Sequence, residues 1–324
     1  KEGPVLEILA SAYSVPATRI ENEQLREFMD TSDEWIRERT GIKTRHVVTD
    51  QRNFDLAYDV AQQLLEKSTV TADQLDFIIV ATMSPDYATP AEANRLQAAL
   101  NANHAFAFNL NVACAGFEYA LHVADRLMTS PTVHQGLVIG SEVLSRLVDW
   151  HDRRTAVLFA DGAGGVLVSD QGAPVQAVDL KSFGDTEMVL LAGEQANQSP
   201  FADAQAQPSP YFKMNGRAVY QFAISEVPRS INRALEQANL TTDDIDWFLL
   251  HQANARIVQS VNKKLKVAEA KFPINIDEYG NTSAASVPIL LAQLAESGQL
   301  KRGQKIVLSG FGGGLSVGSL IMTY

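Results

Sequence analysis

The chain repeats one stretch of its own sequence at a distance of 170 residues, and this repeat constrains the fold more than any other feature. Leu65–Val80 aligns without gaps on Leu235–Leu250, with five identical positions. Each copy is typical of a helix end, an acidic turn and a buried strand that begins with an aromatic residue. Helix–turn–strand units are common, so a chance similarity is the alternative. We favour a duplication that gives two similar α/β halves packed on each other.

The rest of the chain fits the same scheme. Short apolar runs alternate with longer helical patterns, which is typical of an α/β fold whose sheets are covered on both faces. We predict halves at residues 1–170 and 171–324, with Gly193–Pro210 as a mobile surface loop or linker because it is rich in Gln, Ala, Ser and Pro. The predicted strands are Phe77–Ala81, Phe106–Leu110, Leu137–Gly140, Trp247–Leu250 and Ile306–Ser309, and the predicted helices are Leu56–Lys67, Ala91–Leu100, Cys114–Met128, Val219–Ala238, Ala255–Leu265 and Ser286–Ser297.

Charge and cysteine content exclude several classes of protein. The net charge of −11 disfavours binding to nucleic acid or to an anionic membrane, so an acidic partner would need a local basic patch. No apolar run reaches the roughly 18 residues of a membrane span, and no signal sequence is evident. Cys114 is the only cysteine, which excludes an intrachain disulfide and a four-cysteine zinc site. We therefore expect a cytoplasmic protein. We also expect no metal and no tightly bound cofactor.

Cys114 is the first candidate for chemistry. It follows a predicted strand and begins a predicted helix. At a helix N-terminus, free N–H groups and the helix dipole favour the thiolate, which is the nucleophilic form of cysteine. The alternative is a buried structural cysteine, since free cysteine is among the most buried residue types.

His251 and Asn281 are the next candidates. His251 ends the strand of the second repeat copy, at the sheet edge where open α/β sheets bind ligands, although a lone histidine is more often structural. Asn281 lies in a loop of small residues that leads into the helix from Ser286, and small residues permit close approach of a substrate. A helix-capping role and a glycosylation sequon are its alternatives.

The glycine-rich segment Gly310–Gly318 does not match a dinucleotide-binding loop, because its glycine spacing is wrong and a strand follows instead of a helix. We predict a tight hairpin whose N–H groups can face a substrate oxygen.

Taken together, these motifs resemble the β-ketoacyl-acyl-carrier-protein synthases III, which are condensing enzymes of the thiolase superfamily. The similarity extends over almost the whole chain. Its segments are Asp30–Ile42, Ala113–Phe117, Asp149–Asp161, His251–Asn254, Gly280–Pro288 and Phe311–Gly314. The resemblance implies a thiolase-like five-layer αβαβα fold built from two duplicated halves, which accounts for the repeat.

The resemblance also implies a mechanism and a catalytic triad of Cys114, His251 and Asn281. Cys114 would take an acyl group from coenzyme A, and malonyl-acyl carrier protein would then lose carbon dioxide and attack the acyl-cysteine. His251 and Asn281 would donate hydrogen bonds to the thioester oxygen, where negative charge develops. The N–H groups of Cys114 and Gly313 would form the oxyanion hole.

Further binding residues carry over from the family. Coenzyme A would contact Thr31, Trp35, Arg39, Arg153 and Asn254, with indole and guanidinium groups stacking on adenine. A solvated basic face is the alternative for the arginines. Arg154 departs from the family, which usually has glycine there, and this puts the geometry of the adenine site in question.

The acidic carrier protein would bind the basic residues Arg256, Lys263 and Lys264, which share one face of a predicted helix. Gln221 stands where the family often has lysine, so the patch is weaker there. Leu144 and Phe159 match acyl-pocket positions, and Thr89 matches a position that is contributed across the homodimer that the family forms. Because threonine is smaller than the aromatic residue of some members, we expect primers longer or more branched than acetyl to be accepted.

Three other functions remain open from the sequence. A cysteine hydrolase shares the order Cys, His, Asn but would release a free acid. A synthase III-like acyltransferase of specialised metabolism would pass the acyl group to another nucleophile. A non-catalytic interaction protein is expected only if Cys114 is buried and inert.

Overall fold

The computed structural model describes residues 5–195, 197, 199–201 and 208–324. Its strands are β1 Val5–Ser14, β2 Arg19–Glu21, β3 Thr44–His46, β4 Phe77–Ala81, β5 Phe106–Leu110, β6 Gln135–Val143, β7 Asp161–Pro174, β8 Ala177–Ser182, β9 Leu190–Leu191, β10 Lys213–Met214, β11 Trp247–Leu250, β12 Lys305–Gly312 and β13 Ser316–Thr323. Its helices are α1 Asp33–Thr40, α2 Asn53–Glu66, α3 Glu92–Leu100, α4 Gly116–Leu127, α5 Gly216–Ala238, α6 Ala255–Leu265, α7 Ile276–Tyr279 and α8 Ser286–Glu296.

The predicted elements agree closely with these bounds. The strands β4, β5 and β11 begin and end where they were predicted, because each is a short β-forming run set off by polar residues. Helix α6 also matches at both ends: the Asn254 side chain caps its first turn, and Lys266 ends it in a left-handed conformation. The predicted helix from Cys114 is divided, since Ala113–Ala115 forms a 3₁₀ turn before α4.

Two sheets carry the repeat. The first has the strand order β1-β7-β6-β4-β5 and the second has β11-β12-β13-β8. Read from β8, the second sheet repeats the order of the first without its β5 edge, so β1, β4, β6 and β7 correspond to β8, β11, β12 and β13. In both sheets the repeated strand, β4 or β11, pairs in parallel with its neighbour. The same order in both sheets is what a duplication of one α/β unit produces.

Three of the hydrophobic cores among the described residues hold the five layers together. The central core lies between the two sheets and contains side chains of α4 and α8. A second core joins α2 and α3 to the outer face of the first sheet, and a third joins α5 and α6 to the outer face of the second. The predicted five-layer αβαβα fold with two duplicated halves is therefore confirmed.

The predicted boundary between residues 170 and 171 lies within β7, whose last residue, Pro174, still pairs with Val5 of β1. The predicted linker Gly193–Pro210 includes residues 196, 198 and 202–207, which lie outside the described residues. Its two ends meet, because the Gly193 N–H donates to the Pro210 carbonyl at 2.8 Å. No helix in the described part of the chain is both long and apolar enough to cross a bilayer.

Candidate active site

Cys114 lies in the 3₁₀ turn Ala113–Ala115, between β5 and α4. Ala113 has a φ of 45°, which turns the chain sharply and sets the cysteine at the start of the helix. The turn packs directly on β12 at Gly312, where a Cβ would lie 2.7 Å from the Cys114 nitrogen. Gly312 is therefore required so that the hairpin can approach the cysteine this closely.

Burial opposes the thiolate predicted at Cys114 in the free protein. The residue is only 7% exposed, and this burial raises the pKa of the thiol to about 12. The neighbouring carboxyls Glu142 and Glu118 raise it further, while the Ser283 hydroxyl lowers it by less than burial raises it. The helix N-terminus favours the thiolate and burial favours the thiol, and for this residue the effect of burial is the larger one.

His251 directly follows β11 and is 1% exposed. Its backbone N–H donates to the Ser309 carbonyl at 2.8 Å, and its ring packs edge-on against Phe311 with 5.3 Å between centroids. Burial lowers the pKa of the imidazole to about 3, and Nδ1 has no hydrogen-bond partner among the described residues. The ring is therefore neutral at physiological pH and carries a single N–H.

Asn281 lines the candidate site, and its side chain closes a local turn. Its Oδ1 accepts the Ser283 N–H at 2.9 Å, which closes the 3₁₀ turn Ser283–Ala285 before α8. Its backbone bridges to the segment at Phe159, where the Asn281 N–H donates to Leu158 O and the Ala160 N–H donates to Asn281 O. Because Oδ1 is engaged, Nδ2 is the group left to donate to a ligand.

The three predicted catalytic residues meet at one cavity. Cys114, His251 and Asn281 all line a cavity of about 150 Å³, together with Phe159 and Phe311. A second cavity of about 500 Å³ also reaches Cys114 and Phe159. The cysteine is thus buried but accessible from two cavities, so burial does not make it purely structural.

The repeat of 170 residues also relates two turns of the candidate site. Asn111 and Asn281 are equivalent positions, and each side-chain oxygen accepts the N–H of the residue two places on, Ala113 or Ser283. Those two residues both have positive φ, 45° and 51°. The nucleophile of one half and the amide of the other therefore lie on matching turns, which the short alignment in the sequence did not reveal.

Four of the five predicted coenzyme A residues are brought together. The guanidinium carbons of Arg39 and Arg153 lie 4.5 and 5.2 Å from the centre of the Trp35 ring. Asn254 Nδ2 donates to the Arg39 carbonyl at 3.0 Å, which joins this group to the start of α6 and the mouth of the smaller cavity. Thr31 lies just before α1, and its buried Oγ1 has no partner in the described part of the chain.

Arg154, the departure from the family, is exposed and pairs with Asp152, to which its Nε and Nη2 donate at 2.8 and 3.1 Å. Its guanidinium is thereby held by its own loop.

The predicted basic face on α6 is exposed. Arg256, Lys263 and Lys264 are all solvent-accessible, as is Gln221 on α5. Lys264 Nζ already donates a hydrogen bond to the Ile224 carbonyl of α5 at 2.8 Å. The side chains of Arg256 and Lys263 make no ion pair with any residue that the structure describes.

The predicted acyl-pocket residues differ in position. Phe159 lines both cavities and stacks on Phe212 with 4.0 Å between centroids. Leu144 is fully buried in the same hydrophobic cluster, behind the cavity walls. Thr89 is exposed and lines neither cavity within this single chain.

Sequence analysis did not identify three buried groups near the nucleophile, namely Glu118, Glu142 and Ser283. Burial raises the pKa of Glu118 to about 8 and that of Glu142 to about 7. Within the described residues, no cluster of histidine, cysteine and carboxylate side chains is suited to hold a metal ion.

Comparison with known proteins gives consistent matches. Residues 108–184 match the family model of 3-oxoacyl-[acyl-carrier-protein] synthase III, and residues 235–324 match the model of its C-terminal part. A Lactobacillus helveticus protein named β-ketoacyl-[acyl-carrier-protein] synthase III is 52% identical over 321 residues, covering 98% of both chains. A Lactiplantibacillus plantarum protein named β-ketoacyl-[acyl-carrier-protein] synthase III 2 is 51% identical over 324 residues, again covering 98% of both.

Solved structures agree with these matches. The 3-oxoacyl-[acyl-carrier-protein] synthase III of Aquifex aeolicus superposes with a TM-score of 0.92 at 35% identity, covering 98% of this chain and 100% of that one. The priming β-ketosynthase of the R1128 polyketide pathway superposes with a TM-score of 0.93 at 30% identity, covering 99% and 97%.

Proposed function

The chain belongs to the 3-oxoacyl-[acyl-carrier-protein] synthase III family, and we propose that it condenses an acyl-coenzyme A primer with malonyl-acyl carrier protein to start fatty acid synthesis. The observation that carries this function is the meeting of Cys114, His251 and Asn281 at one buried cavity. Those groups provide a nucleophile and two neutral donors, which are the chemical requirements of a decarboxylative condensation through an acyl-cysteine.

In the first half-reaction, Cys114 Sγ attacks the thioester carbonyl of the primer and coenzyme A leaves. The N–H groups of Cys114 and Gly313 would stabilise the tetrahedral oxyanion. The close packing of the hairpin on the cysteine and the position of both residues on the larger cavity support this role. Loss of one such donor typically costs roughly 3 kcal/mol of transition-state stabilisation.

In the second half-reaction, negative charge develops on the thioester oxygen of malonyl-acyl carrier protein as carbon dioxide leaves. The neutral His251 ring and the Asn281 Nδ2 group can both donate to that oxygen. A protonated or anionic group in this cavity would be disfavoured by burial, whereas two neutral donors stabilise the enolate without a buried charge in the resting site. The enolate carbon then attacks the acyl-cysteine, and the Cys114 thiolate is released.

We propose that coenzyme A enters past Trp35, Arg39, Arg153 and Asn254, with Thr31 at the edge of the group. Both arginines stack on the indole, so adenine would have to displace one of them to lie between indole and guanidinium. The buried and unpartnered Thr31 Oγ1 supports a polar ligand contact there.

The carrier protein would dock on the α6 face formed by Arg256, Lys263 and Lys264. Arg256 lies at the start of the helix, two residues after Asn254 at the cavity mouth, and Lys263 and Lys264 lie in its last turn. This cationic face on a chain of net charge −11 favours an acidic partner in one orientation.

We also propose a homodimer that acts in the cytoplasm, where a lone cysteine persists as a free thiol. Strand β5 is an edge strand of the first sheet, and Phe106 on it is 43% exposed. Such an edge can pair with a second copy. Thr89, which is exposed in one chain, would complete the partner's acyl pocket, and its small side chain supports primers longer or more branched than acetyl.

Intact mass spectrometry after incubation with a panel of acyl-coenzyme A thioesters tests this function. We expect an acyl adduct that maps to Cys114 and is absent from Cys114→Ala. Addition of malonyl-acyl carrier protein should then discharge the adduct as a lengthened β-ketoacyl-carrier protein. Free acid would indicate a cysteine hydrolase, transfer to another nucleophile would indicate an acyltransferase of specialised metabolism, and an inert Cys114 would indicate an interaction protein.

A further inference from the structure

Glu118 on α4 has a buried carboxyl that the reaction described above does not use. It lies four residues after Cys114, its side chain is fully buried, and neither carboxyl oxygen has a hydrogen-bond partner among the described residues. Buried polar groups are normally hydrogen-bonded, and an acidic side chain is almost never fully buried unless it is paired. This side chain therefore needs an explanation beyond the packing of α4.

The carboxyl of Glu118 packs on a pair of glycines in the hairpin of β12 and β13. Gly310 and Gly318 lie opposite each other in the register of these strands. A Cβ on Gly310 would lie 2.8 Å from the carboxyl carbon of Glu118, and a Cβ on Gly318 would lie 3.3 Å from the Cβ of Glu118. Neither glycine has a positive φ, so the close packing of Glu118 and its neighbours, and not the backbone conformation, accounts for glycine at both positions.

Strand β12 contacts the nucleophile two residues after Gly310. A Cβ on Gly312 would lie 2.7 Å from the Cys114 nitrogen, and Gly310 and Gly312 lie on the same face of the strand. The strand thus packs on Glu118 at one glycine and on the turn of Cys114 at the other. The next residue, Gly313, carries the proposed oxyanion donor, so the position of its N–H depends on both contacts.

The other half of the repeat fills the equivalent space without a carboxyl. Gly140 and Gly164 form a glycine pair on β6 and β7, the strands that correspond to β12 and β13. A Cβ on Gly164 would lie 2.6 Å from the Ile289 nitrogen, so the backbone of α8 occupies this space. The residue at the repeat offset of 170 from Glu118 is Pro288, which cannot ionise. The fold therefore does not need a carboxyl at this position, which indicates a separate role for Glu118.

The surroundings of Glu118 favour its neutral form. Burial raises the pKa of this carboxyl to about 8, although its own backbone N–H opposes the shift. No lysine, arginine or histidine in the described part of the chain pairs with it. The carboxyl is therefore mostly neutral at pH 7. Once ionised, it would be a buried charge without a partner.

Few titratable groups lie on the main elements packed against α4. They are Cys114 in the turn before it, Glu142 on β6 and Lys305 on β12, while β4, β13 and the turn Ser283–Ala285 have none. Lys305 lies five residues before Gly310, about 16 Å along the strand. The groups on α4 itself are Glu118, Tyr119, His122, Asp125 and Arg126. Burial lowers the pKa of His122, and Arg126 pairs with Asp125, so none of these groups supplies a cation to balance an ionised Glu118.

We propose that Glu118 is a positioning residue whose neutral side chain holds the hairpin of β12 and β13 against Cys114, and that its ionisation loosens the hairpin and slows acylation. This inference rests on the proposed function. A neutral carboxyl can stay packed on Gly310 and Gly318, whereas a carboxylate gains hydration by moving away from them or by admitting water. Either change disturbs the contact of Gly312 with Cys114 and the position of the Gly313 N–H.

The first test compares wild type with Glu118→Gln, which keeps the shape of the side chain but cannot ionise. The rate of Cys114 acylation by an acyl-coenzyme A is measured by mass spectrometry from about pH 6 to 9.5. At 1.5 pH units above its pKa, about 3% of a carboxyl remains neutral. The ratio of the variant rate to the wild-type rate should therefore be close to one at pH 6 and rise by about 10- to 30-fold at pH 9.5, with its midpoint near pH 8.

Two controls separate the hairpin from other effects of charge. Alkylation of Cys114 by iodoacetamide requires the thiolate but no oxyanion donor, so the same ratio of alkylation rates should change by much less. Asp125→Asn is the matched variant, because Asp125 is also a fully buried carboxyl of α4 but lies two turns further along the helix. Its acylation rate relative to wild type should stay nearly constant with pH. Glu118→Met replaces Glu118→Gln if the latter does not fold.

The second test measures melting temperatures and needs no substrate. The ordinary pKa of a glutamate is about 4.5, so between about pH 4.5 and 8 the folded state holds a proton on Glu118 that the unfolded chain has lost. The melting temperature of Glu118→Gln relative to wild type should therefore rise from about pH 5 to 8 and stay level above that. Gly310→Ala should also lower the melting temperature more in wild type than in Glu118→Ala, because its Cβ meets the carboxyl only in the former.

The proposal is contradicted if the ratio of acylation rates does not change with pH, if the ratio of alkylation rates changes equally, or if Asp125→Asn shows the same rise. A melting-temperature difference that does not grow with pH would show that Glu118 is already ionised at neutral pH and would also contradict it. A wild-type protein that is never acylated, but shows both stability effects, would overturn the proposed function and support the packing of Glu118 on the hairpin.

Discussion

Replacing Asn281 by aspartate separates the two roles of this residue. Asn281 Oδ1 accepts the Ser283 N–H at 2.9 Å, and a carboxylate oxygen can accept the same bond, so the turn before α8 should persist. The Nδ2 group is replaced by an oxygen, so the donor to the substrate is lost. The variant therefore removes the proposed catalytic contact and preserves the hydrogen bond that closes the turn.

The expected magnitude follows from the lost donor and the added charge. Removal of one donor to a developing oxyanion costs roughly 3–4 kcal/mol, which is a factor of about 100 to 1000 in rate. An ionised carboxylate about 4 Å from the enolate oxygen adds repulsion of up to about 4 kcal/mol at an effective dielectric constant of about 20. Decarboxylation should therefore slow by at least about 100-fold. Because burial raises the pKa of an inserted carboxyl, its neutral form becomes a donor again at low pH, and part of the rate should return there.

The assay follows the two half-reactions separately. Carbon dioxide release from carboxyl-labelled malonyl-acyl carrier protein is measured with pre-acylated enzyme, and Cys114 acylation is measured by mass spectrometry. Acylation of Asn281→Asp should stay within about tenfold of wild type, because that step uses other donors. Asn281→Ala, which loses the donor and the hydrogen bond to the Ser283 N–H together, should also unfold more easily by about 1 kcal/mol. Equal losses in both half-reactions of Asn281→Asp, or an unchanged decarboxylation rate, would refute the assigned role.

Four further predictions address other parts of the site. Gly312→Ala should lower both the melting temperature and the rate of Cys114 acylation, because the added Cβ would lie 2.7 Å from the Cys114 nitrogen. Thermal unfolding and mass spectrometry of the acyl adduct measure the two effects, and an unchanged acylation rate would contradict the prediction. Trp35→Ala should raise KM for acyl-coenzyme A by about 5- to 30-fold with little change in kcat, because stacking on the substrate is lost. Steady-state kinetics measure both constants, and a fall in kcat at unchanged KM would contradict a binding role for Trp35. Arg256→Glu should lower kcat/KM for malonyl-acyl carrier protein and reduce its salt dependence, while acylation by acyl-coenzyme A serves as the control that should not change. The decarboxylation rate of the wild-type protein should not fall through protonation of His251 between about pH 5 and 8, because burial lowers the pKa of its ring to about 3. A fall in that rate centred near pH 6.5, the ordinary pKa of histidine, would contradict a neutral buried ring.

The sequence was sufficient to predict the fold because its periodic signals are local. Five apolar residues at Phe77–Ala81 and the capping asparagine before α6 determine their elements without long-range information. The repeat then predicted two halves, and the structure confirms two sheets with the same strand order. Cys114 and His251 follow strands of different sheets, so only the packing of the two sheets brings them to one cavity.

Properties that depend on packing from distant segments could not be predicted. The pKa of Cys114 is raised because other segments bury the thiol and place Glu142 near it, and neither contact is local in sequence. The bond from Lys264 Nζ to the Ile224 carbonyl likewise depends on how α5 and α6 pack, so helical periodicity alone could not reveal it. Ser283 was overlooked because serine before a helix is usually a simple cap.

One buried thiol, Cys114, should alternately hold an acyl group and release it to a decarboxylated malonyl unit. To follow this cycle, Cys114 is loaded with a labelled acyl group, free primer is removed, malonyl-acyl carrier protein is added, and both proteins are weighed at successive times. We expect the label to leave Cys114 at the rate at which it reaches the carrier as a β-ketoacyl chain, with equal release of carbon dioxide. Label that stays on Cys114, or that leaves it without reaching the carrier, would show that the condensation does not pass through this thiol.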